Sequence, residues 1–226
     1  HDVHTTMGLG VAETLMNFRD VIPGKVKFIF QPAEEGPPEG ETGGAAQMVK
    51  EGVLEDPSVE AIFGIHVMPT IEVGKVGVHT GPVWASNDTI EILIHGRKTH
   101  AAYPHTGVDA IAVAAQVVLG LQTMVTRLVD VRDPLLISFG IFEGGNQFNV
   151  LADRVLLQGI VRSLSPEVRE AAPKRIEEVL KGVTQSFGAT YTLTWTAGAP
   201  VTMNHPQLVS FAIPTLEFAL GKENVI

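Results

Sequence analysis

"DTIEILIHG", residues 88–96, alternates apolar and polar positions, with Ile90, Ile92 and Ile94 on one side of the run. A period of two over this length is the mark of a half-buried β-strand. Working outward, a long apolar helical pattern follows from about 107 to 128, and then a strand-like run "LLISFGIF" at 135–142. "RVLLQGIVRS" (154–163) reads as another strand, Pro166 opens a helix that runs to about 187, and "ATYTLTWTAG" (189–198) closes the series. The order β-α-β-β-α-β is that of a ferredoxin-like unit made of two split β-α-β halves. We place this unit as an inserted domain at 84–198, with 1–83 and 199–226 as two portions of another domain.

The flanking portion follows a different rhythm. Residues 5–20 carry Met7, Val11, Leu15 and Met16 at helical spacing. "KVKFIFQP" (25–32) and "AIFGIHV" (61–67) read as buried strands, and 43–56 between them as a helix with glycine at its margins. Strand, helix, strand implies an α/β layer with a parallel-rich sheet. The fold class is therefore α/β, a parallel-rich layer interrupted by the ferredoxin-like unit.

Composition narrows the function. The chain has 226 residues, 45% of them hydrophobic, enough for one large domain or two small ones. A net charge of -9 without a basic patch argues against a nucleic-acid partner. The absence of cysteine removes disulfides and thiolate metal sites from these residues. The longest apolar stretch, 110–125, is interrupted by Gln116 and Gln122 and is short for a bilayer span, so a membrane role is not expected. No targeting segment is visible, and a cytoplasmic location is the expectation.

The chemistry gathers at strand margins. Glu34 and Glu35 follow the run ending at Pro32, His66 ends the run at 61–67, and "HDVH" opens the chain with His1 and His4. Ligands in open parallel sheets bind beyond the carboxyl ends of strands, and imidazole with carboxylate suits zinc and similar cations. Taken singly, each residue has a plainer reading. Adjacent carboxylates in a loop are commonly solvated, and a lone histidine at a strand end is commonly structural. Their concentration within 66 residues is what points to a metal site.

"HDVH", "FQPAEEG", "GIHV", "GRKTHAAYPHTGVD", "GGNQFNV" and "GIVRS" occur in this order along the chain. In that series the chain resembles a family of metallopeptidases that includes aminoacylases, hippurate hydrolases, carboxypeptidases and hydrolases of indoleacetyl–amino acid conjugates. The resemblance implies a zinc-peptidase-like catalytic domain, with 84–198 as its lid or dimerisation domain. It implies two divalent metal ions, zinc or else manganese, cobalt or nickel, with His1, Glu35 and His66 as ligands. Asp2 would orient the His1 ring, and His4 would support the site from behind.

The resemblance also divides the carboxylate pair. Glu35 is neutralised on the cation, and Glu34 takes the proton of the attacking water as general base and returns it to the leaving amine. His100 would stabilise the oxyanion from across a homodimer, while Asn149 and Arg162 hold the substrate backbone and its free carboxylate. His79, His95 and His205 match nothing in the series.

In the family, a Cys-Gly pair precedes "HD", and a further metal-binding histidine lies towards the C-terminus. Neither occurs between His1 and Ile226, so the resemblance implies a fragment lacking both ends, inactive as it stands for want of two ligands. The expected activity is hydrolysis of the amide bond of an N-acyl amino acid or small peptide-like substrate. The alternatives are a non-catalytic remnant that dimerises through the lid, and a deacetylase acting on N-acetyl diamino acids.

Overall fold

The computed structural model describes residues 1–36, 38 and 43–226; positions 37 and 39–42, shortly after the Glu34–Glu35 pair, lie outside the described residues. By contact, the chain divides into two compact units, 78–219 and 1–77 with 220–226.

In the unit 78–219, four strands form one antiparallel sheet in the order β3-β4-β2-β5, from β2 (Asp88–His95), β3 (Leu135–Gly144), β4 (Arg154–Ser163) and β5 (Thr190–Thr196). Helices α3 (Ala110–Arg127) and α4 (Pro166–Ser186) complete the β-α-β-β-α-β order expected from the sequence. A short ribbon, β1 (Gly81–Trp84) with β6 (Thr202–Asn204), pairs the two chain segments that enter and leave the sheet.

Local chemistry starts and stops these elements. The Asp109 carboxylate accepts the amide protons of Ile111 and Ala112 and so caps α3. Ser165 does the same for Val168, with Pro166 in the first turn of α4, where its missing N–H costs nothing. On the sheet, Ile90, Ile92 and Ile94 turn inward with Val155, Leu157 and Val161, and from the helices come Val113, Val117, Leu121, Ile176 and Leu180. Each such side chain contributes about 1.5–3 kcal/mol by leaving water. Helix α3 is long and apolar enough to cross a membrane by length and composition, yet here it lays its buried stripe on the sheet and α4. Gly120 lets the two helices approach: a Cβ there would stand 3.0 Å from Val179 Cγ1.

One ion pair closes the base of this unit. Asp88 is fully buried, and the Arg169 guanidinium donates to both of its carboxylate oxygens at 2.8 and 2.7 Å. The Gly198 amide donates to the same carboxylate at 3.0 Å, while Arg169 also reaches the Gly198 carbonyl. Gly198 has to be glycine, because a Cβ would lie 1.7 Å from the Asn87 carbonyl oxygen. Burial pushes the Asp88 carboxyl upward, but the Arg169 fork, the Gly198 amide and the Arg169 charge together outweigh it and hold Asp88 below the usual carboxylate range.

The second unit, 1–77 with 220–226, is built differently. It carries α1 (Asp2–Met16) and α2 (Gly44–Lys50), and none of its described residues is buried. The expected strands at 25–32 and 61–67 are not strands among the described residues. Both segments run without ladder partners, and Phe28, Phe30, Ile62, Phe63 and Ile65 stay exposed. The physical reason is that a strand of a parallel sheet exists only through its neighbours. The one parallel pairing described is an isolated bridge, Val76 with Val225. The helix expected over 43–56 stops at Lys50, because Gly52, at φ 83°, turns the chain. Val53 N–H then bonds Met48 O and Gly52 N–H bonds Val49 O, a Schellman termination.

Candidate metal centre

The first unit brings His1, Glu34 and Glu35 together. His1 is the N-cap of α1, and the carboxylates sit in a tight turn after the extended run 25–30. That turn is closed by Gly36 N–H on Ala33 O at 3.1 Å. Ala33 takes φ 51°, a left-handed conformation uncommon for a residue with a Cβ. The neck of the following loop is tied by Gly44 N–H on Pro32 O. The result is that both carboxylates meet one imidazole nitrogen: His1 Nδ1 lies 2.8 Å from Glu34 Oε2 and 2.9 Å from Glu35 Oε1.

Two further histidines surround this group. The His66 and His4 rings are 4.5 Å apart between centres, and each stands about one ring away from His1, at 5.3 and 5.0 Å. His66 Nδ1 lies 2.7 Å from Val67 O, and His4 Nε2 accepts the Val67 amide at 3.0 Å. His4 therefore holds the segment carrying His66, in line with a supporting role. Asp2 behaves otherwise than expected: its carboxylate accepts the Val3 amide at 2.9 Å, a helix-start contact, and no hydrogen bond joins it to the His1 ring.

The donor set suits a divalent cation. One ligand atom each from His1, Glu34 and Glu35 lies within 4.8 Å of the others, and all three residues are exposed. Two carboxylates converge here, and His1 is their one ion-pair partner among the described residues. A hard or borderline cation complements that charge and ligand chemistry. Both carboxylates touch the same nitrogen, so the distances alone do not separate base from ligand.

The remaining expected residues lie in the unit 78–219. His100 and Asn149 are neighbours: Ala101 N–H bonds Asn149 O at 2.9 Å, and His100 bridges Val150. His100 Nδ1 accepts the Ala102 amide at 3.1 Å, and its ring stands 5.9 Å from Tyr103. Arg162 is exposed on β4, directly across from Leu136, with no hydrogen-bond or ion-pair partner among the described residues. Sequence reasoning passed over Phe148, which is 99% exposed beside Asn149. A large apolar residue inside "GGNQFNV" was the available signal.

Comparison with known proteins gives the family. A family model described as peptidase family M20/M25/M40 matches residues 1–226. The chain belongs to that family. An N-acyl-L-amino acid amidohydrolase of Geobacillus stearothermophilus is 40% identical over 207 residues, which are 92% of this chain and 54% of that protein. An N-acetyldiaminopimelate deacetylase of Priestia megaterium is 39% identical over 183 residues, 81% of this chain and 47% of that protein. Among solved structures, the Bacillus subtilis YXEP protein, described as a dinuclear metal-binding peptidase of the M20 family, superposes with a TM-score of 0.80 at 31% identity, covering 100% of this chain and 55% of that one. This M20 chain thus spans about half the length of the curated relatives it matches.

Proposed function

We propose that the whole protein hydrolyses the amide bond of N-acyl amino acids, with Glu34 as general base. The observation that carries this is the convergence of His1, Glu34 and Glu35 at hydrogen-bonding distance in a member of the M20 family. Amide hydrolysis is also what the names of the Geobacillus and Priestia relatives describe. Under this reading His1, Glu35 and His66 hold a pair of divalent cations, zinc or manganese, cobalt or nickel, and further strands outside this chain complete the parallel-rich sheet.

When bound, the cations polarise the scissile carbonyl and make water acidic enough to attack near neutral pH. This chain's residues then move the protons. Glu34 accepts a proton from water as the water oxygen bonds to the carbonyl carbon. It passes that proton to the amide nitrogen as the C–N bond breaks, which releases a carboxylic acid and the free amino acid. His100, carried on a lid formed by the unit 78–219 and supplied by the second copy of a homodimer, donates to the oxyanion. Asn149 holds the substrate backbone, and Arg162 meets the amino acid's carboxylate with its planar fork.

The Priestia relative favours a second reading, deacetylation of an N-acetyl diamino acid, by the same chemistry. A substrate panel tests both. The full-length protein is expected to cleave N-acetyl and N-benzoyl amino acids, to lose turnover on chelation, and to regain it on return of zinc or manganese. Cleavage confined to N-acetyl diamino acids would favour the second reading. Turnover that survives exhaustive chelation would overturn the metal-dependent mechanism.

A further inference from the structure

The face of the sheet opposite the helices is open, and it carries Arg162. Register puts Leu136 directly across from Arg162, with Ile160 two residues back on the same face and Ser138 across from it. Leu136 is 47% exposed. An exposed guanidinium without a carboxylate partner among the described residues thus stands among aliphatic side chains.

Next to it the sheet is hollowed. A β-bulge between Phe139 and Ile141 inserts Gly140 as an extra residue opposite β4. Gly159 faces the bulge, and a Cβ there would lie 2.2 Å from the Ser138 carbonyl oxygen, so this floor has to be glycine. Gly140 leaves the middle of the open face without a side chain, while Gly159, in register with Ile90 and Phe139 on the helix-covered side, lends the hollow only its backbone. What remains is a shallow hollow of about 430 Å³ lined by Thr89, Ser138, Gly140, Ile141, Gln158 and Ile160. That volume falls within the range of small-molecule sites. The acid nearest this stretch of the face, Glu91, is outside the lining and accepts the Gln158 side-chain amide at 2.6 Å.

We propose that this hollow seats the side chain of the amino acid whose carboxylate docks on Arg162, and that it selects aliphatic or aromatic amino acids over glycine and over charged ones. The inference rests on the reading of Arg162 as the carboxylate anchor and names the substrate class of the same site. Carboxylate on the guanidinium and side chain over the bulge are ends of one small molecule. The lining offers apolar surface and uncharged polar edges, with no charged group to pair a distal ammonium.

Gly140 provides the test, because a Cβ there meets nothing within 4 Å and a side chain fills the hollow without a backbone clash. In the full-length protein, N-acetyl-leucine is expected to exceed N-acetylglycine in kcat/KM by about 10–200-fold, the discrimination an apolar pocket gives per buried group. Gly140→Leu is expected to lower that ratio at least about tenfold, mainly through KM for the leucine substrate. Ile160→Ser should lower it in the same direction while adding no bulk. Free L-leucine is the second probe: calorimetric binding is expected in the wild type and should weaken in Gly140→Leu. A ratio unchanged in both variants, or a wild-type preference for N-acetyl-lysine, would overturn the assignment. Failure to cleave any N-acyl amino acid would instead overturn the hydrolase reading, and leucine binding that Gly140→Leu weakens would then still support the hollow.

Discussion

Asp88 shows how one residue ties sequence to stability. Its carboxylate is buried, forked by Arg169 and capped by the Gly198 amide. Removing one partner of such a pair strands the other without solvent, at a cost of about 3–5 kcal/mol. Asp88→Asn is therefore expected to destabilise the unit 78–219 by an amount of that order at pH 7, measured by urea unfolding. The sign with pH follows from the lowered carboxyl. Its folded value lies beneath the ordinary 3.8, so the contribution is fully present above about pH 4 and is lost as pH falls through the folded value. The gap between wild type and Asp88→Asn should shrink below about pH 4. A gap that is constant down to pH 3 would mean that the pair's charge does not matter. The sequence held no sign of this contact, since Asp88 and Arg169 are 81 residues apart and each reads alone as a surface charge.

The elements of the β-α-β-β-α-β unit were legible because each carries its own evidence. Ile90, Ile92 and Ile94 alternate on β2, Asp109 and Ser165 cap the helices, and Pro166 opens α4. Such signals act over a few residues and need no distant partner. Ile92, fully buried, is the point to test. Ile92→Ala should cost about 2–5 kcal/mol in denaturant unfolding, and Leu93→Ala, on the open face of the same strand, clearly less. Equal costs would place the core on the wrong side of the sheet. The runs at 25–32 and 61–67 misled for the complementary reason. Their apolar content marks strands, but pairing is a property of neighbours, and no ladder joins them here. The helix expected over 43–56 runs past Gly52, whereas α2 ends at Lys50 because Gly52, the residue just past its cap, turns the chain at positive φ.

At the scale of the molecule, all of the buried core lies in the unit 78–219, while the metal-type donors lie in the unit whose described residues are all at least partly exposed. That the carboxylate pair at 34–35 meets His1 could not be deduced from spacing, because some thirty residues of intervening chain leave the approach undetermined; the family resemblance supplied it, and the 2.8 and 2.9 Å contacts agree. The measurement that bears most directly on the central claim is metal content together with turnover, in one preparation each of wild type, Glu34→Gln and Glu35→Gln of the full-length protein. The account predicts that Glu34→Gln keeps the wild-type metal content and loses about 10²–10⁴ in kcat, as removal of a general base should. Glu35→Gln should lose metal and activity together. If Glu34→Gln instead loses its metal, or retains wild-type turnover, the assignment of Glu34 as the base is wrong.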